Sequence, residues 1–191
     1  MTVILGISCY HPDSAACLVV DGNVIAAISE ERLGFRQKHV GGFPHNAVQF
    51  VLDHANLKIS DVNHIAIARD TKANRMQRAK RYLSLNGAMS AFKRVKKNSG
   101  LLNADLKQLQ KFSGCNKISY NLHFVEHHLA HIASSYFTSP FDTDVTGFSY
   151  DGAGDGVTCA WANCDGYNIN IEFCAKQPWS LLHSDVSTDW I

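Results

Sequence analysis

The segment Glu126-His127-His128-Leu129-Ala130-His131 carries the sharpest coordination signal in the chain. His127 and His131 are four residues apart, so a helix would put both imidazoles on one face, one turn apart. Neutral imidazole suits zinc, iron, nickel or copper. In H-E-x-x-H peptidases the residue after the first histidine is a glutamate acting as general base. Here that position is His128, so the peptidase reading lacks its base. Two histidines call for a third ligand, often a carboxylate. Asp151 is the candidate, because it ends the apolar run Val145 to Tyr150 and opens the turn Asp151-Gly152-Ala153-Gly154-Asp155-Gly156. Strand ends of open α/β sheets are where ligands bind. Two imidazoles and one carboxylate leave coordination positions open for a substrate. The competing readings are a chance histidine pairing in a chain with ten histidines, a structural His128, and an Asp151 that only forms a turn.

Two polar loops near the N-terminus are the next candidates. Tyr10-His11-Pro12-Asp13-Ser14 follows the first strand and could set backbone N–H groups, Ser14 and His11 around an anion. The alternative is an ordinary turn in which Asp13 or Ser14 bonds its own backbone. Lys38-His39 precedes Gly41-Gly42-Phe43-Pro44 and reads as a solvated pair or a second anion contact. The basic residues from Lys72 to Lys117 are opposed only by Asp105. They form either a solvated helical face or a phosphate-binding or nucleic-acid-binding one.

The elements that must position these groups follow from hydrophobic periodicity. Thr2 to Ser8, Ala15 to Val20 and Asn23 to Ser29 read as strands, the last two joined across Asp21-Gly22. Glu30 to Gly42 is a loop. Pro44 to Ala55 is a helix, with Pro44 in its first turn and Ala47, Val48, Val51 and Leu52 on one face. Asn63 to Ala68 is a strand. Lys72 to Lys97 and Asn103 to Phe112 are helical, and Lys117 to Val125 is a strand. Glu126 to Phe137 is a helix stopped by Ser139-Pro140. Val145 to Tyr150 is a strand, and Val157 to Asn163 with Tyr167 to Phe173 forms a hairpin across Asp165-Gly166. Mixed strands with interleaved helices predict an α/β layered domain. A strand, a polar turn and a hairpin recur from Gly6 and again from Asp151, a pairing that suggests an actin-like architecture.

Composition narrows the class. With 191 residues, 46% hydrophobic and 18% charged, the chain is globular, one domain or one lobe of a two-lobed one. The formal net charge of +1 gives no whole-chain attraction to nucleic acid or to a membrane surface. No apolar run reaches the roughly 18 residues that span a bilayer, and the N-terminus has no basic region before its apolar stretch. The six cysteines contain no C-x-x-C pair, so reduced thiols in a cytoplasmic protein are expected.

Ile4-Leu5-Gly6-Ile7-Ser8-Cys9-Tyr10-His11-Pro12-Asp13-Ser14-Ala15-Ala16 resembles the opening of the O-carbamoyltransferases. These enzymes act on nodulation factors, aminoglycosides and cephalosporins. The resemblance continues through Ala26-Ala27-Ile28-Ser29-Glu30-Glu31-Arg32, Lys38-His39, Gly42-Phe43-Pro44 and Ile65-Ala66-Ile67-Ala68-Arg69. It is most specific over Val125 to Tyr136 and from Ser139-Pro140-Phe141 to Tyr150-Asp151-Gly152. It implies an actin-like (ribonuclease H-like) mixed sheet flanked by helices, similar to the enzyme that puts threonylcarbamoyl on tRNA. It also implies transfer of a carbamoyl group from carbamoyl-adenylate to a hydroxyl of a small-molecule acceptor. In such enzymes the adenylate is made from ATP and carbamoyl phosphate by a second part.

By the same resemblance His127, His131 and Asp151 hold a divalent metal, iron favoured over zinc or manganese. His11 and Asp13 are the catalytic candidates, as base and orienting group, and Lys38, Arg69 and Gly152 contact the adenylate. Family members are longer, so residues 1–191 are expected to be a truncated N-terminal lobe without the adenylate-forming domain. Self-association as a homodimer is an expectation for the surface a missing lobe would cover; membrane and nucleic-acid partners are not expected. A non-catalytic metal- or nucleotide-binding fragment, or a tRNA-related binding module, is the alternative.

Overall fold

A computed structural model describes residues 1–10, 13–34, 38–70, 72–74, 76, 106–107 and 119–175. The helices expected over 72–97 and 103–112 fall largely outside these residues, as does His11. The chain divides into two compact units, Met1–Asp70 with Gly87–Val125, and Thr71–Asn86 with Glu126–Ile191.

The first unit is built on a five-stranded sheet of order β3-β2-β1-β4-β5. The strands are β1 Val3–Ser8, β2 Ala15–Val20, β3 Asn23–Ser29, β4 His64–Ile67 and β5 Asn121–Phe124. β1, β2 and β3 pair antiparallel, whereas β4 pairs parallel with β1 and with β5. The β2–β3 turn is Asp21-Gly22, with φ of 47° and 85°, both left-handed. That is the backbone a two-residue hairpin of matching twist requires. Alternation along the strands buries Val3, Leu5, Ile7, Leu18, Ile65 and Ile67 on one face. Helix α1, His45–His54, covers that face with Ala47, Val48, Val51 and Leu52, as its spacing predicts. Each buried aliphatic side chain contributes about 1.5–3 kcal/mol of transfer free energy.

Pro44 is the N-cap of α1 rather than its first residue, and its side chain caps nothing. The exposed N–H groups of that helix end are served from a distance. Glu30 is buried at the start of a 3-10 turn, Glu30–Arg32. One of its carboxylate oxygens accepts from the Asn46 backbone N–H (3.1 Å) and side-chain amide (2.7 Å), and the other accepts from Ala47 N–H at 2.7 Å. A carboxylate at a helix N-terminus also faces the favourable end of the helix dipole.

Among its described residues the second unit has a three-stranded antiparallel sheet with a helix packed on it. The elements are helix α2 His127–Tyr136, β6 Val145–Gly154, β7 Val157–Asp165 and β8 Asn168–Ala175. The helix comes where its period predicts, with Glu126 and Phe137 as its caps. Two sequence expectations are corrected. β6 does not end at Tyr150: it runs through to Gly154, and the turn is Asp155-Gly156, with φ of 44° and 94°. Asp-Gly closes a hairpin best with both residues left-handed, and only the second Asp-Gly pair in this stretch does so. The β7–β8 turn is Gly166-Tyr167, because Asp165 still pairs with Asn168.

α2 lies unusually close to β6. A Cβ on Gly147 would meet Ile132 Cγ2 at 2.5 Å and Cys164 Sγ at 3.2 Å. A Cβ on Gly154 would fall inside the His127 ring. The two glycines therefore matter for what they lack, since the helix rests on bare backbone at both positions. No described helix is long and apolar enough to cross a membrane. Cys9, Cys17, Cys159 and Cys164 carry thiols, and burial pushes that of Cys17 up.

Two substitutions check this packing. Glu30→Ala should lower unfolding free energy by about 1–3 kcal/mol, because it leaves the donors of Asn46 and Ala47 without their acceptor; an unshifted denaturation midpoint would contradict the capping role. Gly154→Ala should destabilise by about 1–3 kcal/mol through overpacking and displace the His127 ring in a crystal structure of the variant. An undisturbed ring at unchanged stability would contradict the close approach.

Candidate functional site

The first turn of α2 is fixed by three acceptors. Glu126 Oε2 accepts from Leu129 N–H at 2.7 Å, and its Oε1 accepts from the Asn74 amide at 3.2 Å. Asp155, from the β6–β7 turn, accepts from the His127 backbone N–H at 3.0 Å. The helix thus starts at a defined position against the hairpin.

On the strand side, Tyr150 pairs with Cys159 while Gly154 pairs with Val157. Residues 151–153 therefore stand against Thr158 alone, and β6 bulges there. A bulge re-aims side chains and is favoured beside functional sites. Asp151 belongs to this bulge, which takes it out of the regular alternation of β6.

The structure brings His127, His131 and Asp151 together, with one ligand-capable atom of each within 4.8 Å of the others. His127 Nε2 is 2.5 Å from Asp151 Oδ2, and His131 Nε2 is 3.1 Å from His127 Nε2 and 3.7 Å from the same oxygen. Hydrogen bonds alone do not satisfy this arrangement. If His127 Nε2–H donates to Asp151, that nitrogen has no lone pair left to accept from His131. Three donor atoms that share one ion at about 2.0–2.2 Å sit about 3–3.6 Å apart, close to the longer two of these distances. The donor set therefore fits a borderline divalent cation. His127 is mostly covered at 19% side-chain exposure, while His131 (53%) and Asp151 (41%) reach solvent, so an ion here would be approachable. Partial burial chiefly, and the neighbouring His127, hold His131 below the ordinary imidazole value, with Asp151 opposing. His131 is then neutral at pH 7, the form that coordinates.

His128 is fully buried, with its ring edge-on to that of His127 at 5.4 Å between centroids. It bonds Ser149 Oγ and the Val157 carbonyl, so the structural reading of that residue holds. Sequence reasoning missed Ser149, Asp155 and the two close-approach glycines. The signal was present for one of them: in Asp151-Gly152-Ala153-Gly154-Asp155-Gly156, the second glycine has no turn to make once Asp155-Gly156 is the turn.

The remaining candidates lie in the first unit, apart from Gly152, which sits in the β6 bulge beside Asp151. Parallel pairing of β1 with β4 puts the loop after Ser8 and the Arg69 segment at the same carboxyl end of the sheet. The Lys38 segment is tied to that loop: Tyr10 N–H donates to the Gly42 carbonyl (3.0 Å), and Ser14 N–H donates to that of Val40 (3.1 Å). Ser14 Oγ also donates to the Val40 carbonyl at 2.7 Å, so this buried hydroxyl serves the loop and is not offered to an anion. Asp13 Oδ1 lies 3.0 Å from His39 Nδ1, and both side chains are exposed. Tyr10 and His39 hold left-handed backbone, φ 62° and 57°, a conformation that bulky residues adopt where surrounding structure imposes it.

Comparison with known proteins accords with the fold. The chain is 34% identical over 190 residues to the uncharacterized protein sll1178 of Synechocystis, covering 95% of this chain and 30% of that protein. It is 35% identical over 144 residues to the nodulation protein NolNO of Sinorhizobium fredii, covering 75% of this chain and 20% of that one. The chain thus spans under a third of the length of these curated relatives. Among solved structures, YeaZ from Pseudomonas aeruginosa superposes with a TM-score of 0.50 at 12% identity, over all of this chain and 72% of that one. An uncharacterized protein with similarity to peptidase YeaZ gives 0.51 at 15%, over all of this chain and 71% of that one. These likenesses show the fold, which is actin-like. The family described as Carbamoyltransferase N-terminus matches residues 3–184, and with that match across nearly the whole length the chain belongs to the carbamoyltransferase N-terminal family.

Proposed function

We propose that this chain is the metal-holding part of an enzyme that moves a carbamoyl group from carbamoyl-adenylate to a hydroxyl of a small molecule. The observation that carries the reading is the convergence of His127, His131 and Asp151 in a chain of the carbamoyltransferase N-terminal family. Those three residues would hold a divalent ion, iron favoured over zinc or manganese. When bound, the ion supplies Lewis acidity toward an oxygen of the adenylate.

The chain's own residues have the remaining work. In the reaction the acceptor oxygen attacks the carbamoyl carbon, the bond from that carbon to the phosphate oxygen breaks, and AMP leaves. The proton of the hydroxyl passes to His11 as general base. Asp13 is assigned to orient His11. Lys38 and Arg69 supply positive charge for the adenylate's anionic groups, in keeping with the strand-end position of Arg69. Gly152 would let backbone approach the nucleotide without a side chain in the way.

Two measurements test the reading. Anaerobic titration with Fe²⁺, checked by elemental mass spectrometry, should give about one equivalent bound, lost in the variant His127→Ala with His131→Ala. Binding should weaken in acid, in a range below the ordinary imidazole value, since His131 is held below it and protons then compete with the ion for its nitrogen. Equal metal content in wild type and variant would overturn the metal assignment. Separately, the Fe²⁺-loaded chain given carbamoyl-adenylate and a hydroxyl acceptor should release AMP, with His11→Ala slower by on the order of 10²-fold. AMP release no faster than in buffer would overturn the transfer chemistry and leave the metal site standing.

A further inference from the structure

We infer that His128 sets the register of α2 on β6 and thereby delivers His127 to Asp151. Its purpose rests on the reading of the triad as a metal centre; its geometry does not. His128 is fully buried on the face of α2 that meets the sheet. Its Nδ1 lies 2.9 Å from Ser149 Oγ and its Nε2 lies 3.2 Å from the Val157 carbonyl oxygen. A carbonyl only accepts, so Nε2 carries the hydrogen and donates to it, and Nδ1 accepts from the Ser149 hydroxyl. One neutral ring thus spends both nitrogens, and no buried side-chain polar atom among the described residues is left without a partner.

The partners are what make this a pin. His128 is the neighbour of His127 on α2. Ser149 lies two residues before Asp151 on β6, and Val157 stands opposite Gly154 at the far end of the bulge. The ring therefore ties the helix that carries two of the triad to β6, the strand that carries the third, through Ser149, and to β7 opposite the far end of the bulge through Val157. An apolar side chain of this size would bury similar area, but apolar contact is non-directional and tolerates sliding. Two hydrogen bonds do not, because they weaken steeply with small changes of distance and angle. Sliding or rotating α2 would strand the ring nitrogens, the Ser149 hydroxyl and the Val157 carbonyl in a buried site, and each stranded group is penalised. The same register seats His127 over the bare backbone of Gly154. His128 is a positioning residue: both its ring nitrogens bond Ser149 and Val157, and its ring meets that of His127 edge-on.

The test uses the full chain, metal-free, with ¹⁵N-labelled histidine. In wild type the His127 Nε2 resonance should show its hydrogen bond to Asp151. Ser149→Ala and His128→Leu should abolish that signature. His128→Gln should retain it, because its amide oxygen accepts from Ser149 and its NH₂ donates to Val157. Zn²⁺ affinity, read in parallel, should fall about 10–100-fold in the first two variants and stay within about threefold of wild type in His128→Gln. If Ser149→Ala and His128→Leu fold and keep both the His127 signature and the Zn²⁺ affinity, the inference is overturned. If His128→Leu fails to fold, Ser149→Ala decides. If wild type binds neither Zn²⁺ nor Fe²⁺, the metal reading fails, while the imidazole spectra still decide the role of His128.

Discussion

The close seating of α2 on β6 is the constraint on which the candidate site depends. His127 and His131 on the helix meet Asp151 on the strand here because the two backbones approach closely. Gly147 and Gly154 allow this at two points, under Ile132 and under His127. Ile132 and Tyr136 then bury against Ala162 and Cys164 to hold the helix down. Apolar burial supplies the adhesion, and the polar contacts of Glu126, His128 and Asp155 supply the position. The bulge of β6 completes the arrangement by placing Asp151 where a regular strand would not.

The first unit solves a parallel problem with different means. Its sheet and α1 form an apolar core that leaves the carboxyl ends of β1 and β4 side by side. The loops there are held by backbone hydrogen bonds and by the Ser14 hydroxyl, with left-handed residues at Tyr10, His39 and Gly42 absorbing the tight turns. Glu30 connects this loop system to the helix: its backbone N–H donates to the Ser14 carbonyl while its carboxylate caps α1. Core and loop are therefore not separable, and a residue with no catalytic chemistry of its own decides how firmly the loop is placed.

Much of this was legible in the residues. β2 and β3 begin and end where alternation and Asp21-Gly22 put them, and the buried face of α1 is the one its spacing named. The triad was legible as a pattern, since four-residue spacing on a helix is a geometric statement. Strand ends were less legible where two Asp-Gly pairs competed: Asp151-Gly152 looks like a turn, and only pairing across to β7 shows that the turn is four residues later. The long-range partners were not legible. Nothing in local sequence says that Glu30 caps a helix starting at His45, that Ser149 faces His128, or that Gly154 lies under an imidazole. Those facts depend on which elements pack together, which hydrophobic period alone does not encode.

The most direct measurement of the central claim is a crystal structure of the Fe²⁺-loaded chain with anomalous data collected at the iron edge. The account predicts one anomalous peak bonded to Nε2 of both His127 and His131 and to a carboxylate oxygen of Asp151, with His128 still bridging Ser149 and Val157. A peak bonded to other residues, or none where iron is shown to be present in the crystal, would contradict it.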